Sequence, residues 1–423
     1  MCGIAGIRSL SGRPVGTDEV LTMADVITHR GPDDFGSYVG SGVGLSMRRL
    51  QIIDLETGEQ PIHNEDETVW VVLNGEIYNF REKRKELEAR GHRFYTATDT
   101  EVIVHLYEEF GAECVHHLRG MFGFALWDAR RRALMLARDR IGIKPLYYGV
   151  FGERLVFASE VKCFLTLPEV ERRLDWTAVQ HLFTFLVTPP AQSILEGVRK
   201  LEPGHVLVAD QGKEPLVRRY WDLRFEPEVE RSESALIEEL RAVLRETVDL
   251  HMMSDVPLGA FLSGGLDSSA VVATIAALTD RPVKTLAIGL DDADFNELEY
   301  ARVVSNQLGT EHHELVLEPN VFDILEDLPW YLDEPFGDSS AIPTYMVSKL
   351  AAEEVTVVLS GDGGDEVFAG YDKYVVEGRE RRWDALPRAG KAVAGLASRL
   401  IPEGRPGRRF LRHHSLSGAE RYL

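Results

Sequence analysis

The chain has 423 residues, too many for one hydrophobic core and enough for two or three domains. Its 47 Lys and Arg are outnumbered by 68 Asp and Glu, and the net charge of −21 argues against a nucleic-acid-binding surface. The N-terminus lacks signal-peptide character and no apolar run reaches the ~18 residues needed to span a bilayer, so neither nucleic acid nor membrane is an expected partner.

Residues 1 to about 200 read as short strands and hairpins with a few helices. A helix start is expected at Thr17-Asp18, strands at Val43–Met47, Val69–Leu73, Phe122–Trp127, Ala133–Arg138, Leu146–Val150 and Leu155–Ala158, and an amphipathic helix at Asp99–Phe110. Leu201-Glu202-Pro203-Gly204 and the stretch Tyr220–Glu233 have turn and linker composition. From about Ser232 strands and helices alternate: strand Leu258–Leu262, helix Ser268–Leu278, strand Val283–Leu290, helix Glu297–Leu308, strand His313–Leu317, helix Ala341–Glu353, strand Val355–Leu359. Such alternation predicts a doubly wound, parallel α/β domain after an α+β one. The stretch Arg379–Arg421 carries eleven Lys or Arg against four Asp or Glu, a pattern that reads as a solvated helical face or a patch facing further sequence in preference to an RNA- or membrane-binding tail.

Three cysteines, Cys2, Cys114 and Cys163, form neither a disulfide framework nor a metal-ligand spacing, which points to a reducing, cytoplasmic setting. Cys2 is set apart by position: loss of Met1 would make it an N-terminal thiol with its own base. A free α-amine titrates near pH ~8 and a thiol near ~8.5, so the neutral amine can take the thiol proton.

Ser263-Gly264-Gly265-Leu266-Asp267-Ser268-Ser269 follows an apolar strand and opens a helix, where unpaired N–H groups and the helix dipole favour an anion. It lacks the Gly-Lys-Ser/Thr ending of a kinase-type phosphate loop. A carboxylate, Asp267, among phosphate ligands makes sense only if a Mg²⁺ lies between. Ser360-Gly361-Asp362-Gly363-Gly364-Asp365-Glu366 follows another apolar strand, and in a parallel sheet both loops leave the same edge. Asp365 is the expected second Mg²⁺ carboxylate; Asp362 and Glu366 are candidates for substrate contact or proton transfer. Val71-Val72-Leu73-Asn74-Gly75-Glu76-Ile77 reads as a strand, an Asn-Gly turn and a second strand.

Ser263–Ser269 resembles the pyrophosphate loop of the ATP pyrophosphatase superfamily, and the two loops behind an N-terminal Cys-Gly-Ile resemble glutamine-hydrolysing asparagine synthetases. The resemblance implies an N-terminal class II glutamine amidotransferase of four-layer αββα Ntn-hydrolase fold over residues 2–215. It implies a synthetase domain of the adenine nucleotide α-hydrolase type over residues 232–423, ending short of the family's usual C-terminus. Cys2 would hydrolyse L-glutamine, with Asn74 and Gly75 as oxyanion hole, Arg49 on the α-carboxylate, and Asp99 and Glu76 on the α-ammonium. Leu262, Ile288, Ser360 and Gly361 would contact the adenosine of ATP, Ser263, Gly264, Gly265 and Ser268 the pyrophosphate, and Asp267 and Asp365 the Mg²⁺. Ammonia would pass internally to a β-aspartyl-AMP made from L-aspartate.

The motif His29-Arg30-Gly31-Pro32-Asp33 would shape the loop beside the nucleophile. Arg138-Asp139-Arg140-Ile141-Gly142-Ile143-Lys144-Pro145-Leu146-Tyr147-Tyr148 would support the fold and domain interface, and Asp333–Ser340 would line the acceptor pocket. The chain departs from the family at Asp362, where most members have a Glu linked to adenylate formation, and in lacking the family's C-terminal Arg-x-Pro-Phe-Leu-Asp-like segment and transition-state lysine. A different acceptor carboxylate, a glutaminase-only protein and a non-catalytic partner therefore stay open, as does a homodimer.

Overall fold

The computed structural model describes residues 1–423 except 227–230, 291–296, 318–321, 382–386, 419 and 421–423. Parts of the expected linker Tyr220–Glu233 and of the basic stretch Arg379–Arg421 lie outside the described residues.

Residues 1–265 and 271–359 form one compact unit. Its first half holds two six-stranded antiparallel sheets. One runs Arg199–Lys200, Tyr147–Phe151, Arg154–Ala158, Gly3–Ser9, Val43–Arg49, Asp34–Gly40; the other Leu216–Arg219, His205–Asp210, Ala133–Arg138, Gly120–Asp128, Val69–Ile77, Ile62–His63. Period-two alternation decides which side chains face which layer. Ile4, Val43, Leu45 and Met47 of the first sheet meet Val72, Trp127, Leu134 and Leu136 of the second in a common core. Ala5 and Ile7 face outward onto helix Thr17–Asp25. Val71 and Leu73 face outward onto helices Phe80–Ala89 and Glu101–Phe110. The result is the four-layer αββα arrangement expected from the sequence.

Asn74-Gly75 does not form the anticipated hairpin turn. The strand continues to Ile77 because residues 74–77 find partners in Gly120–Gly123. Gly75 has φ +154°, and a Cβ there would lie 2.1 Å from the Met121 carbonyl oxygen, so only glycine permits this close pairing. The chain turns at Tyr78-Asn79 instead, where Asn79 Nδ2 donates to the His117 carbonyl at 2.9 Å.

The second half of this unit carries a parallel sheet in the order Glu311–Leu317, Lys284–Leu290, Leu258–Phe261, Val357–Leu359. Helices Glu233–His251 and Leu298–Leu308 cover one face through Val248, Leu298 and Ala301, and helix Ala341–Glu354 covers the other through Ala351. This is the doubly wound topology anticipated. Strands 258–261 and 357–359 are neighbours across the point where strand order reverses, the place at which ligands bind in such sheets.

Residues 266–270 and 360–423 form a second unit, with a short helix Gly364–Phe368 and helices Asp372–Glu380, Arg388–Leu400 and Arg408–Ser415. No helix among the described residues is long and apolar enough to cross a membrane.

Candidate active site

The alternation that builds the sandwich core also builds a site at its end. Cys2 has the parity of Ile4, Arg49 that of Val43, Leu45 and Met47, and Asn74 and Glu76 that of Trp70 and Val72, so all four side chains face the space between the sheets. Antiparallel pairing of Gly3 with Arg48 brings the Cys2 and Arg49 ends together. Cys2 Sγ lies 3.4 Å from the Leu50 N–H and 3.6 Å from the Leu50 carbonyl. Arg30 Nε donates to the Cys2 carbonyl at 2.9 Å, so the His29-Arg30 motif holds the backbone at Cys2.

Asn74 and Arg49 both carry buried polar atoms without a hydrogen-bond partner. Both amide atoms of Asn74 lack a hydrogen bond, although the residue is fully buried. The Arg49 guanidinium is fixed by Nη2 donating to the carbonyls of Ile53 at 3.0 Å and Asp54 at 2.6 Å, while Nη1 is buried and unmatched. An unmatched buried polar atom costs roughly 1–3 kcal/mol, so such groups signal a ligand to be bound. Asp99 Oδ2 accepts the Ile77 N–H at 2.7 Å, which ties it to the strand carrying Asn74 and Glu76.

Burial dominates the electrostatics. It pushes the Glu76 carboxyl up to about 7, with Asp99 adding to the rise, and it raises Asp99 despite the Ile77 N–H. It lowers the Met1 amine to about 6, helped by Arg30 and Lys144, and raises the Cys2 thiol against the Leu50 hydrogen bond. Lys144 belongs here too, although sequence reading gave its motif no chemistry. It is 5% exposed, its ammonium is lowered by burial, Glu76 and Cys2 act on it electrostatically, and Nζ contacts the Met1 sulfur at 3.3 Å. A lysine flanked by Ile143 and Pro145-Leu146 was the available signal, since lysines are seldom buried without a reason. Asp139 in the same motif accepts the N–H groups of Ile143 at 3.0 Å and Lys144 at 3.1 Å, the fold-supporting role expected.

In the parallel-sheet half, Leu262 is buried and donates its N–H to the Leu286 carbonyl at 2.9 Å, and Ile288 is half-buried on the neighbouring strand. Ser263 Oγ accepts the Gly265 N–H at 3.2 Å. Gly264 has φ +83°, and a Cβ there would lie 2.5 Å from the backbone of Tyr300 and Ala301. Within the second unit, a Cβ on Gly361 would approach the Ser268 N–H at 2.8 Å and one on Gly364 would lie 2.6 Å from Asp267 Oδ2. Asp267 therefore lies against the residue preceding Asp365, whose own carboxylate turns toward Gly370. Asp362 Oδ2 accepts the Ser360 hydroxyl at 2.9 Å, and Glu366 Oε1 accepts the Tyr371 hydroxyl at 2.6 Å. Carboxylates and serine hydroxyls are hard oxygen donors, the chemistry that suits Mg²⁺.

A glutamine amidotransferase domain model matches residues 1–221 and an asparagine synthase model residues 239–422. Asparagine synthetase [glutamine-hydrolyzing] 1 of Bacillus subtilis is 37% identical over 100% of this chain and 67% of its own length. Putative asparagine synthetase [glutamine-hydrolyzing] 2 of Methanocaldococcus jannaschii is 39% identical over 95% of this chain and 81% of its own. The chain belongs to the glutamine-hydrolysing asparagine synthetase family. Amidase chyE of Penicillium rubens is also similar, 32% identical over 91% of this chain and 62% of its own length. The chain spans about two thirds of the Bacillus relative.

The amidotransferase and synthase halves meet within the first unit. Asp333, at φ +64°, accepts the backbone N–H groups of Val161 and Lys162, the latter at 3.0 Å, and pairs with Lys162 Nζ at 3.2 Å. Glu334 accepts from the Ile194 N–H, the Thr188 hydroxyl and Lys200 Nζ, each at 2.8 Å, and from the Tyr147 hydroxyl at 3.3 Å. These two carboxylates, expected to line an acceptor pocket, are instead spent on holding the amidotransferase half. Tyr147 bears out the interface role assigned to its motif. Asp255 Oδ2 also accepts the Asp54 N–H at 2.8 Å, and the Tyr78 and His251 rings pack at 4.2 Å.

Proposed function

We propose that this protein makes an amide from a carboxylate, ATP and glutamine-derived ammonia, with L-aspartate as acceptor and asparagine as product. The observation that carries the amidotransferase part is the Asn74 amide, buried with both polar atoms unmatched on the face that Cys2 shares. Removal of Met1 would leave Cys2 with its own amine as base. The thiolate attacks the glutamine side-chain carbonyl, and Asn74 Nδ2 with the Gly75 N–H stabilises the oxyanion. Collapse of the intermediate forms a thioester and releases ammonia, and water then frees glutamate. Arg49 Nη1 receives the α-carboxylate; Glu76 and Asp99 receive the α-ammonium, which would draw Glu76 into its ionised form.

The acceptor carboxylate is adenylated by ATP, and ammonia displaces AMP from the acyl-adenylate. Leu262 and Ile288 are proposed for adenosine, Ser263 to Gly265 for the departing pyrophosphate, Asp267 and Asp365 for Mg²⁺, which would neutralise phosphate charge. The three free cysteines, two of them buried, suit a cytoplasmic enzyme.

A second acceptor is favoured by one feature: Asp362, one methylene shorter than the family's Glu, is folded back onto the Ser360 hydroxyl. The deciding experiment measures pyrophosphate release with a panel of carboxylic acids and ammonium, in wild type and Cys2→Ala. Aspartate-dependent release that survives Cys2→Ala while glutamine-dependent synthesis is lost supports the proposal. Stimulation by another acid alone overturns the aspartate assignment, and none with any acid overturns the ligase reading.

A further inference from the structure

On the outer face of the amidotransferase half, away from the Cys2 chamber, four side chains from three chain segments converge. Glu65 comes from the loop before strand Val69–Ile77, His92 from the loop after helix Phe80–Ala89, and His105 and Glu108 from adjacent turns of helix Glu101–Phe110. One ligand atom from each lies within 4.8 Å of all the others. Both rings present Nδ1: His92 Nδ1 is 3.7 Å from Glu65 Oε1 and 3.6 Å from Glu108 Oε2, and His105 Nδ1 is 3.6 Å from Glu65 Oε2 and 3.1 Å from Glu108 Oε2. Tetrahedral zinc with Zn–N and Zn–O bonds of about 2.0–2.1 Å places its ligands roughly 3.3–3.4 Å apart, in the middle of that range.

Each ligand is also held from behind. His105 Nε2 faces Glu101 Oε1 at 3.6 Å and His92 Nε2 faces Glu109 Oε1 at 3.2 Å, the carboxylate backing that orients metal-bound imidazoles. Glu101 is itself fixed by the N–H groups of Tyr95 and Thr96, both at 2.8 Å. Glu108 Oε1 accepts from Asn64 Nδ2 at 2.7 Å and Glu65 Oε1 from the Arg93 N–H at 2.8 Å. The charge balance points the same way. Four carboxylates, Glu65, Glu101, Glu108 and Glu109, surround two imidazoles and the Arg90 guanidinium, 2.7 Å from Glu109, so the cluster stays anionic even with both rings protonated. His105 is fully buried, whereas Glu65 and Glu108 are part-exposed and leave an entry path.

We propose that Glu65, His92, His105 and Glu108 form a structural site for a divalent transition-metal ion, with Zn²⁺ the best match to two imidazoles and two carboxylates. The ion would join three otherwise separate segments and fix the loop between residues 90 and 100, which ends in Asp99. With all four positions filled by protein, it has no catalytic task.

The test uses the full chain carrying Cys2→Ala, so that the N-terminal thiol cannot supply a signal, purified without a histidine tag. Stripped protein is titrated with Co²⁺ and with Zn²⁺, following the visible absorption of four-coordinate Co²⁺ and the thermal midpoint. Stoichiometric Co²⁺ bands, displaced by Zn²⁺, and a Zn²⁺-dependent rise in Tm are expected. His92→Gln, a part-exposed change, should weaken binding at least tenfold while circular dichroism stays native; Glu65→Gln should weaken it less. No Co²⁺ spectrum and no Tm response in the folded wild-type cluster, or equal binding by His92→Gln, overturns the site and leaves a proton-bridged imidazole–carboxylate network.

Discussion

Lys162 of the amidotransferase half lies 3.2 Å from the Asp333 carboxylate of the synthase half, and the same ammonium reaches Glu160, which Arg30 joins at 2.8 Å while holding the Cys2 carbonyl at 2.9 Å. A continuous polar path thus runs from the Cys2 backbone to the synthase half. Lys162→Met cuts it in the middle. Glutamine hydrolysis without ATP is expected to change little, while the amide product formed per glutamate falls. An unchanged product-to-glutamate ratio would show that the path carries no coupling.

Glu160 gives acid stability a defined source. Burial would raise its carboxyl, but His29, Arg30 and Lys162 outweigh burial and hold it at about 2, against 4.5 in the unfolded chain. A depressed carboxyl stabilises the fold above pH 4.5 and loses that contribution as pH falls toward 2; the full difference is on the order of 3 kcal/mol. Urea unfolding across this window should show Glu160→Gln with a flatter pH dependence than wild type. The variant also leaves buried cations without their partner and should lose about 3–5 kcal/mol near neutrality. Parallel curves for the two proteins would refute the assignment.

Lys144 is expected to tune the nucleophile. Its positive charge lowers both the Met1 amine and the Cys2 thiol, and once Met1 is removed the same charge should lower the Cys2 amine, so removing the lysine raises both groups. The base must be neutral to act, and the acid limb of glutaminase kcat/KM should therefore move to higher pH in Lys144→Met. A rate loss with no displacement of that limb would mean that the lysine only packs.

Asn74→Ala should lower glutaminase kcat about 10²–10³-fold with little effect on KM. Arg49→Lys, which loses the planar fork, should mainly raise KM for glutamine. Ammonium-driven synthesis is the internal control for both variants and should persist.

Gly264→Ala places a Cβ 2.5 Å from the Tyr300 and Ala301 backbone at φ +83°. Pyrophosphate release should fall severely while glutamine hydrolysis persists, since the strain lies in the synthase half. Retention of both activities would indicate that this loop does not hold phosphate.

Much of this was legible because alternation is a strong signal. The strands at 43–47 and 69–73 stand out as apolar runs, and in the fold Val43, Leu45 and Met47 share a core with Trp70 and Val72. Asn74-Gly75 misled because local turn chemistry was outweighed by pairing with a strand some 45 residues downstream, a distance no local pattern encodes. The roles of Asp333 and Glu334 were hidden likewise: an acidic loop beside a nucleotide-binding sheet reads as a substrate pocket until its partners, at 161–162, 188, 194 and 200, are seen. For the metal-type cluster, His105 and Glu108 share a helical face, but Glu65 and His92 join them only through the tertiary fold.

The Asp54 peptide has one further consequence. Its carbonyl steadies the Arg49 guanidinium and its N–H is gripped by Asp255 of the synthase half. The pocket proposed for glutamine is therefore shaped partly by sequence outside its own domain. Grafting this amidotransferase onto a foreign synthetase would have to carry an acidic equivalent of Asp255 with it, or the chimera would recognise its nitrogen donor poorly even with every pocket residue intact.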